Sequence, residues 1–343
     1  MTPAHLTPNN PGLMPLGVFV GTGDGMVGST ALVTTFKTTT GADITMAQTY
    51  LPSIAYTGSA YGWAYLTTYS DFASWMSPYS GTPYQMVIGI PMVCQNSDSS
   101  HQNTLAQGNT QYATTVGGVN LATNWAAIGA NLVAAGFSNA VLRLGWEFDG
   151  NWYPWAVANS TDAANFAAYW VNIVTTLRAV SGQNFKFCWG PAGFAAITLS
   201  QAVVQDAYPG NSYVDYMTLD LYDWSWDGSI FSGGNPGNTC TTAQSNSLFA
   251  SFKTMTIGLN WLVTFANSKG KPFGLAECAP TIRDDGHGLG DDPTFVNNAH
   301  TWMIANGATV MYWFSGPEDG TANYNLVGGD FPNSLAAFTA DFG

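Results

Sequence analysis

Short apolar runs recur along the chain, and most are followed by longer stretches whose apolar positions fall at helical spacing. The runs that read as strands are 16–21, 43–51, 84–93, 139–148, 185–191, 213–222, 272–277 and 308–315. Turn-forming residues bound many of them, as expected for strands. Helical periodicity is clearest over 121–136, 161–180, 245–268 and 292–307, and several of these open on Asp, Ser or Thr in a position to cap. Eight strands interleaved with helices over this length predict an α/β fold, a (β/α)8 TIM barrel whose parallel strands gather their C-terminal ends into one mouth. No fixed-period repeat and no low-complexity linker divides residues 1–343, so one domain is expected. Loop-rich stretches at 95–118, 224–243 and 281–291 follow the third, sixth and seventh strands and would border the mouth.

Composition narrows the partner. Of 343 residues 8% are charged and the net charge is −13, which disfavours nucleic acid and anionic membrane surfaces. With 13 Trp and 16 Tyr, the surface depends on uncharged polar groups and rings, which suits a neutral polysaccharide or oligosaccharide. A secreted protein adapted to acid would also show this composition. No run of about 20 apolar residues is present to span a bilayer. The start MTPAHLTPNNPGLMP lacks the basic beginning and apolar centre of a signal peptide. The chain is therefore expected to be cytoplasmic or a mature secreted form, the composition favouring the second, and to act as a monomer.

Cofactor chemistry finds little support. Cys94, Cys188, Cys240 and Cys278 form no CxxC pair, and only Cys240, in a Gly/Asn-rich loop, suggests a disulfide. His5, His101, His287 and His300 show no paired ligand spacing, so neither metal nor cofactor is expected. GDGMVG at 23–28 fits a dinucleotide fingerprint, but Asp24 would oppose a pyrophosphate and Asp43 opens its strand, so a glycine-rich turn is the better reading. The acidic loop 283–292 gathers Asp284, Asp285, Asp291 and Asp292 around His287 without EF-hand spacing, leaving solvation or calcium open.

The three glutamates carry the chemistry. Glu147 and Glu277 end strand-like runs and Glu318 lies just past one; a carboxylate at the end of a buried strand costs desolvation energy unless it is used or paired. Two such groups facing each other across a barrel mouth suggest glycoside hydrolysis. Strand alternation would point Arg143, Gly145 and Glu147 the same way, with Arg143 below Glu147 as a tuning cation or as half of a structural ion pair. Glu318 reads as a solvated loop residue. Trp63, Trp152, Trp155, Trp189, Trp224 and Trp226 near strand ends are candidate stacking platforms, and each could equally pack in the core.

RLGWEFDGNWYPW resembles the fourth-strand motif of glycoside hydrolase family 26, a family best known for β-mannanases; Arg143, Glu147, Gly150, Trp152, Tyr153 and Trp155 carry the match. NFKFCWGP, YPGNSYVDYMTLDLYDW and KPFGLAECAP resemble later strands of that family in the same order. The resemblance implies a retaining endo-β-glycosidase with Glu147 as acid/base and Glu277 as nucleophile. Tyr222 matches a tyrosine that hydrogen-bonds the nucleophile, and Trp313 matches a ring flooring the subsite of the reacting sugar. Arg143, Trp146, Trp152, Trp155, Trp189 and Trp224 complete the expected substrate-binding set. The family has His where this chain has Trp146, which alters contacts beside the scissile bond and admits a β-glucan, a xylan or a bacterial exopolysaccharide besides mannan. A barrel that binds glycans without cleaving them is the remaining alternative.

Overall fold

The computed structural model describes residues 16–22, 27–52, 66–93, 104–110, 112, 115–116, 119–193, 199–316 and 321–343. Eight parallel strands close into a barrel: β1 (Leu16–Phe19), β2 (Ile44–Tyr50), β3 (Gln85–Ile90), β4 (Val141–Leu144), β5 (Lys186–Trp189), β6 (Tyr216–Tyr222), β7 (Phe273–Ala279) and β8 (Val310–Phe314). They follow one another around the barrel in sequence order, and β8 returns to pair with β1, Leu16 opposite Met311 through Phe19 opposite Phe314. The expected (β/α)8 architecture is therefore the observed one, each predicted strand overlapping an observed strand.

The chain packs as two compact units, one holding Tyr50–Met217 and the other holding the chain up to Thr49 and from Thr218 to Gly343. The first contains α2 (Tyr69–Met76), α3 (Leu121–Ala134), α4 (Ser160–Arg178) and α5 (Gln201–Asp206). Its core joins Phe148, Phe166, Trp170 and Trp189 through ring pairs at 4.6–5.9 Å. The second contains α1 (Thr30–Thr40), α6 (Thr242–Thr254), α7 (Leu259–Lys269), α8 (Pro293–Asn306) and α9 (Pro332–Phe342). There Trp313 of β8 meets Phe338 of α9 at 4.8 Å, and Phe338 meets Phe36 of α1 at 5.5 Å.

The helix predicted over 245–268 is two helices, α6 and α7. Met255 is extended (φ −61°, ψ 161°) and ends α6 despite continuous apolar periodicity; Gly258 then lets the chain pass close to the Phe252 carbonyl oxygen, where a Cβ would lie 2.5 Å away. Residues 23–26 of the GDGMVG segment lie outside the described residues, but Gly21–Thr22 and Val27–Gly28 pair antiparallel. That pairing differs from the direct strand-to-helix turn of a dinucleotide site. Among the described residues Cys188, Cys240 and Cys278 are joined by no disulfide, so the bridge suggested for Cys240 is not formed with either of the others. Cys94, Trp63, His5, His101 and Glu318 lie outside the described residues.

Candidate active site

In the Tyr50–Met217 unit, β4 stops at Leu144, and residues 145–149 form a turn in place of the predicted continuation to 148. Gly145 (φ 50°) and Glu147 (φ 53°) both take left-handed backbone, so strict strand alternation no longer decides where Glu147 points. Positive φ at a non-glycine residue stores strain, and such strain is commonly found where a side chain must be aimed. Hydrogen bonds hold the turn, with Gly145 N–H donating to Ile90 O (3.0 Å), Glu147 N–H to Gly190 O (3.1 Å) and Gly150 N–H to Glu147 O (3.0 Å). The Glu147 side chain is 8% exposed, and its Oε2 accepts a 2.8 Å bond from Trp152 Nε1–H. Trp152 reaches it by lying over Gly150, where a Cβ would come within 2.3 Å of the indole. The Gly-x-Trp spacing of the motif thus has a mechanical reason.

Trp146, standing where the family has His, directs its N–H to the Tyr153 hydroxyl (3.1 Å) and packs against Tyr50 and Trp155 at 5.0 and 4.8 Å. It is 4% exposed. Its donor is spent inside the protein, and its role is to shape the wall. Arg143 is buried and donates to the Tyr50 hydroxyl (3.0 Å), steadying the same ring group from below. Asp149, fully buried, accepts from Ala192 N–H (2.6 Å) and Gly193 N–H (3.3 Å) and so ties the loop after β4 to the loop after β5. Burial pushes its carboxyl above the ordinary range against the pull of those bonds.

Two of the expected sugar platforms in this unit are core residues. Trp155 is fully buried, stacks on Tyr153 at 4.4 Å and donates to Trp146 O (2.7 Å). Trp189 is fully buried and donates to Ala207 O (3.2 Å), its ring enclosed by Phe148 and Tyr208. For Trp189, the last residue of β5, this follows from strand alternation, a ring beside an inward-facing residue facing the helices; Trp155 lies in the turn after β4 and is drawn inward by its bond to Trp146 O and its stack on Tyr153.

In the other unit, Glu277 on β7 is 6% exposed and its Oε2 accepts a hydrogen bond from the Tyr222 hydroxyl at the end of β6. Asp220, two residues before Tyr222 and 3% exposed, brings a carboxylate oxygen within 4.8 Å of one on Glu277. Sequence reading missed Asp220; its i−2 relation to Tyr222 on the same strand face was the available signal. Two carboxylates at this spacing could share a proton or a cation, and Tyr222 supplies one donor between the walls.

Trp313 does not floor this site. It is fully buried, its ring faces α9, and its Nε1 has no partner within hydrogen-bonding reach. The next residue, half-buried Phe314, meets Tyr222 at 5.7 Å, Tyr324 at 5.2 Å and Phe19 at 4.5 Å. Alternation along β8 exchanges the two roles. Trp224 stacks on Tyr222 (4.8 Å, 22°), extending the aromatic wall.

The acidic loop is tied into the fold. Arg283 grips Asp285 through Nε and Nη2 (2.9 and 2.7 Å), Asp291 accepts from Asn333 N–H and Ser334 N–H at the start of α9, and Asp292 caps α8 through Thr294 N–H (2.9 Å). Beneath it Asp223 is fully buried beside Asp292, and each has a buried Oδ2 without a donor. Burial, and then the Asp292 charge, raise the Asp223 carboxyl well above its ordinary range. A raised value means stability that is complete in acid and lost as pH rises through the folded-state value. Asp223→Asn is therefore expected to flatten the fall in urea midpoint as pH rises above the ordinary carboxylate range and to stabilise the protein by about 1–3 kcal/mol once the wild-type carboxyl is ionised. Parallel pH profiles for variant and wild type would refute this.

Comparison with known proteins agrees with the motif. Residues 131–231 match the family described as glycosyl hydrolase family 26. Over 85 residues the chain is 32% identical to endoglucanase H of Acetivibrio thermocellus, a stretch covering 23% of this chain and 9% of that protein. The chain thus spans about a tenth of the length of that curated relative. In fold it is similar to Bacillus subtilis mannanase man26 (TM-score 0.61, 16% identity, 97% of this chain and 87% of that one). It is also similar to a Cellulomonas fimi endo-β-1,4-mannanase (TM-score 0.59, 16% identity, 97% and 71%). The motif at β4 lies within the stretch 131–231 that matches glycosyl hydrolase family 26, and the barrel around it is the fold of solved structures described as mannanases.

Proposed function

We propose that the chain is a retaining, endo-acting β-glycoside hydrolase of a neutral polysaccharide, with Glu147 as acid/base and Glu277 as nucleophile. The observation that carries this reading is that each carboxylate stands at the C-terminal end of its strand with one neutral donor on Oε2: Trp152 N–H for Glu147 and Tyr222 O–H for Glu277. On the nucleophile, that donor orients the carboxylate for attack on the anomeric carbon. Glu147 delivers its proton to the departing glycosidic oxygen, the C–O bond breaks, and a glycosyl ester forms on Glu277. Glu147, now ionised, takes a proton from water; the water oxygen bonds to the anomeric carbon and the ester carboxylate leaves.

Mannan is the first substrate to test, because two of the similar folds are described as mannanases. A β-glucan is the second, on the strength of the matched stretch of an endoglucanase and of Trp146, whose N–H is committed to Tyr153 and offers a sugar hydroxyl nothing. The acidic, lysine-poor composition supports work outside the cell by a single chain. Reducing-end release is expected from at least one of mannan, glucomannan, xylan, β-1,4-glucan and β-1,3-glucan. Tight binding to one of them without any product would transfer the reading to a non-catalytic glycan binder.

A further inference from the structure

Beyond Tyr222 the aromatic wall continues outward through the loops that follow β6 and β7. Trp224 meets Trp226 edge-on at 6.4 Å, and Trp226, 56% exposed, stacks on His287 at 4.5 Å and 20°. An exposed indole in a loop usually moves. This one is backed by parts that are themselves fixed. Arg283 lies 4.8 Å from the Trp224 ring and 5.2 Å from the Trp226 ring, and its guanidinium is held bidentate by Asp285. Those bonds lower the Asp285 carboxyl to about 2, so the clamp stays ionised through the acid range. The His287 ring is set by Nδ1, which sits 2.8 Å from the Ser225 carbonyl and must therefore donate to it.

That bond fixes the tautomer and turns neutral Nε2 into an acceptor. Among the described residues neither His287 Nε2 nor Trp226 Nε1 has a hydrogen-bond partner. The two loops are joined by main-chain bonds on both sides, Ser225 N–H to His287 O (2.9 Å) and Leu289 N–H to Asp223 O (3.0 Å). Gly288 permits this approach, since a Cβ there would stand 2.8 Å from Asn238 Oδ1 of the facing loop. An apolar face with one acceptor and one donor at its edge, rigid before any ligand arrives, matches a neutral pyranose, whose C–H face is apolar and whose rim carries hydroxyls. Preorganisation of this kind lowers the entropic cost of binding.

We propose that Trp226 and His287, clamped by Arg283 and Asp285, form an outlying subsite that binds a neutral sugar of the polymer chain beyond the residue undergoing cleavage. The proposal rests on the glycosidase reading above and adds a length preference to it. Trp226 touches none of the reacting atoms, so its contribution falls on long substrates alone.

The test compares wild type with Trp226→Ala and His287→Ala on short and long oligosaccharides of whichever polymer the panel identifies. For Trp226→Ala, KM on the long oligosaccharide is expected to rise about tenfold, the loss of one ring contact of about 1–1.5 kcal/mol, with kcat and the short-substrate constants unchanged. His287→Ala is expected to give a smaller rise in the same direction, because it removes the backing and the acceptor but leaves the indole. Equal constants on long substrates for wild type and Trp226→Ala would overturn the subsite while leaving the glycosidase reading intact. If wild type cleaves nothing in the panel, the glycosidase reading fails separately. Tryptophan fluorescence titration with the soluble polymers then decides the subsite: saturable quenching lost in Trp226→Ala supports it, and no saturable quenching in wild type overturns it.

Discussion

Glu277→Ala is expected to lower kcat by about 10⁴-fold or more on any polymer the chain cleaves, because in the proposed mechanism it removes the atom that forms the covalent intermediate and leaves only binding and the remaining polar groups. The fold should survive. Glu277 is 6% exposed at the end of β7, and its hydrogen-bonded neighbour Tyr222 keeps packing partners in Trp224, Phe314 and Tyr324. A small external anion separates the two carboxylates. With Glu277→Ala, azide attacks from the vacated side and yields a glycosyl azide of inverted configuration. With Glu147→Ala, the glycosyl ester still forms on Glu277 and azide releases it with the starting configuration. Turnover of Glu277→Ala within a few fold of wild type, or the opposite pair of azide products, would break the assignment.

Trp313→Ala is expected to have the largest effect on stability, and a null effect on substrate affinity at temperatures where the variant is folded. The side chain is fully buried against Phe338, and removing a buried tryptophan costs about 3–5 kcal/mol, most of the stability of many domains. Phe314→Ala should behave in the reverse way. Half-buried beside Tyr222, it is expected to raise KM with a smaller loss of stability. The pair separates a ring packed against the outer helices from one packed beside Tyr222. A raised KM for a folded Trp313→Ala, with Phe314→Ala unchanged, would restore Trp313 as the subsite floor.

Those two residues mark where sequence reading reached its limit. The eight strands were legible because apolar runs bounded by turn formers leave a local pattern, and Glu147 and Glu277 because an ionisable group at the end of such a run conflicts with its surroundings. Strand direction was less accessible. An error of one residue in phase reverses inside and outside, which is why Trp313 and Trp189, buried against the helices, read as wall residues; Trp155 lies in a turn, where no periodicity tells a buried ring from an exposed one. Asp220 escaped because β6 is apolar enough for an aspartate within it to pass as an irregularity. The break at Met255–Gly258 escaped because apolar periodicity runs through it, and the close path of Gly258 past the Phe252 carbonyl exists only in three dimensions. The turn at Glu147 was hidden for a related reason: no residue type announces left-handed backbone at a glutamate.

The loop between β7 and α8 carries two obligations at once. His287 and Arg283 face the outlying aromatic surface, while Asp291 and Asp292, four and five residues further on, terminate α9 and α8. Lineages that change diet by exchanging this loop would place two helix starts at risk in the same event. Trp226 bears no such second duty among the bonds described, so adaptation to a new glycan has a cheaper route through position 226 than through 287. Laboratory libraries aimed at altered specificity should yield more folded variants when diversity is placed there.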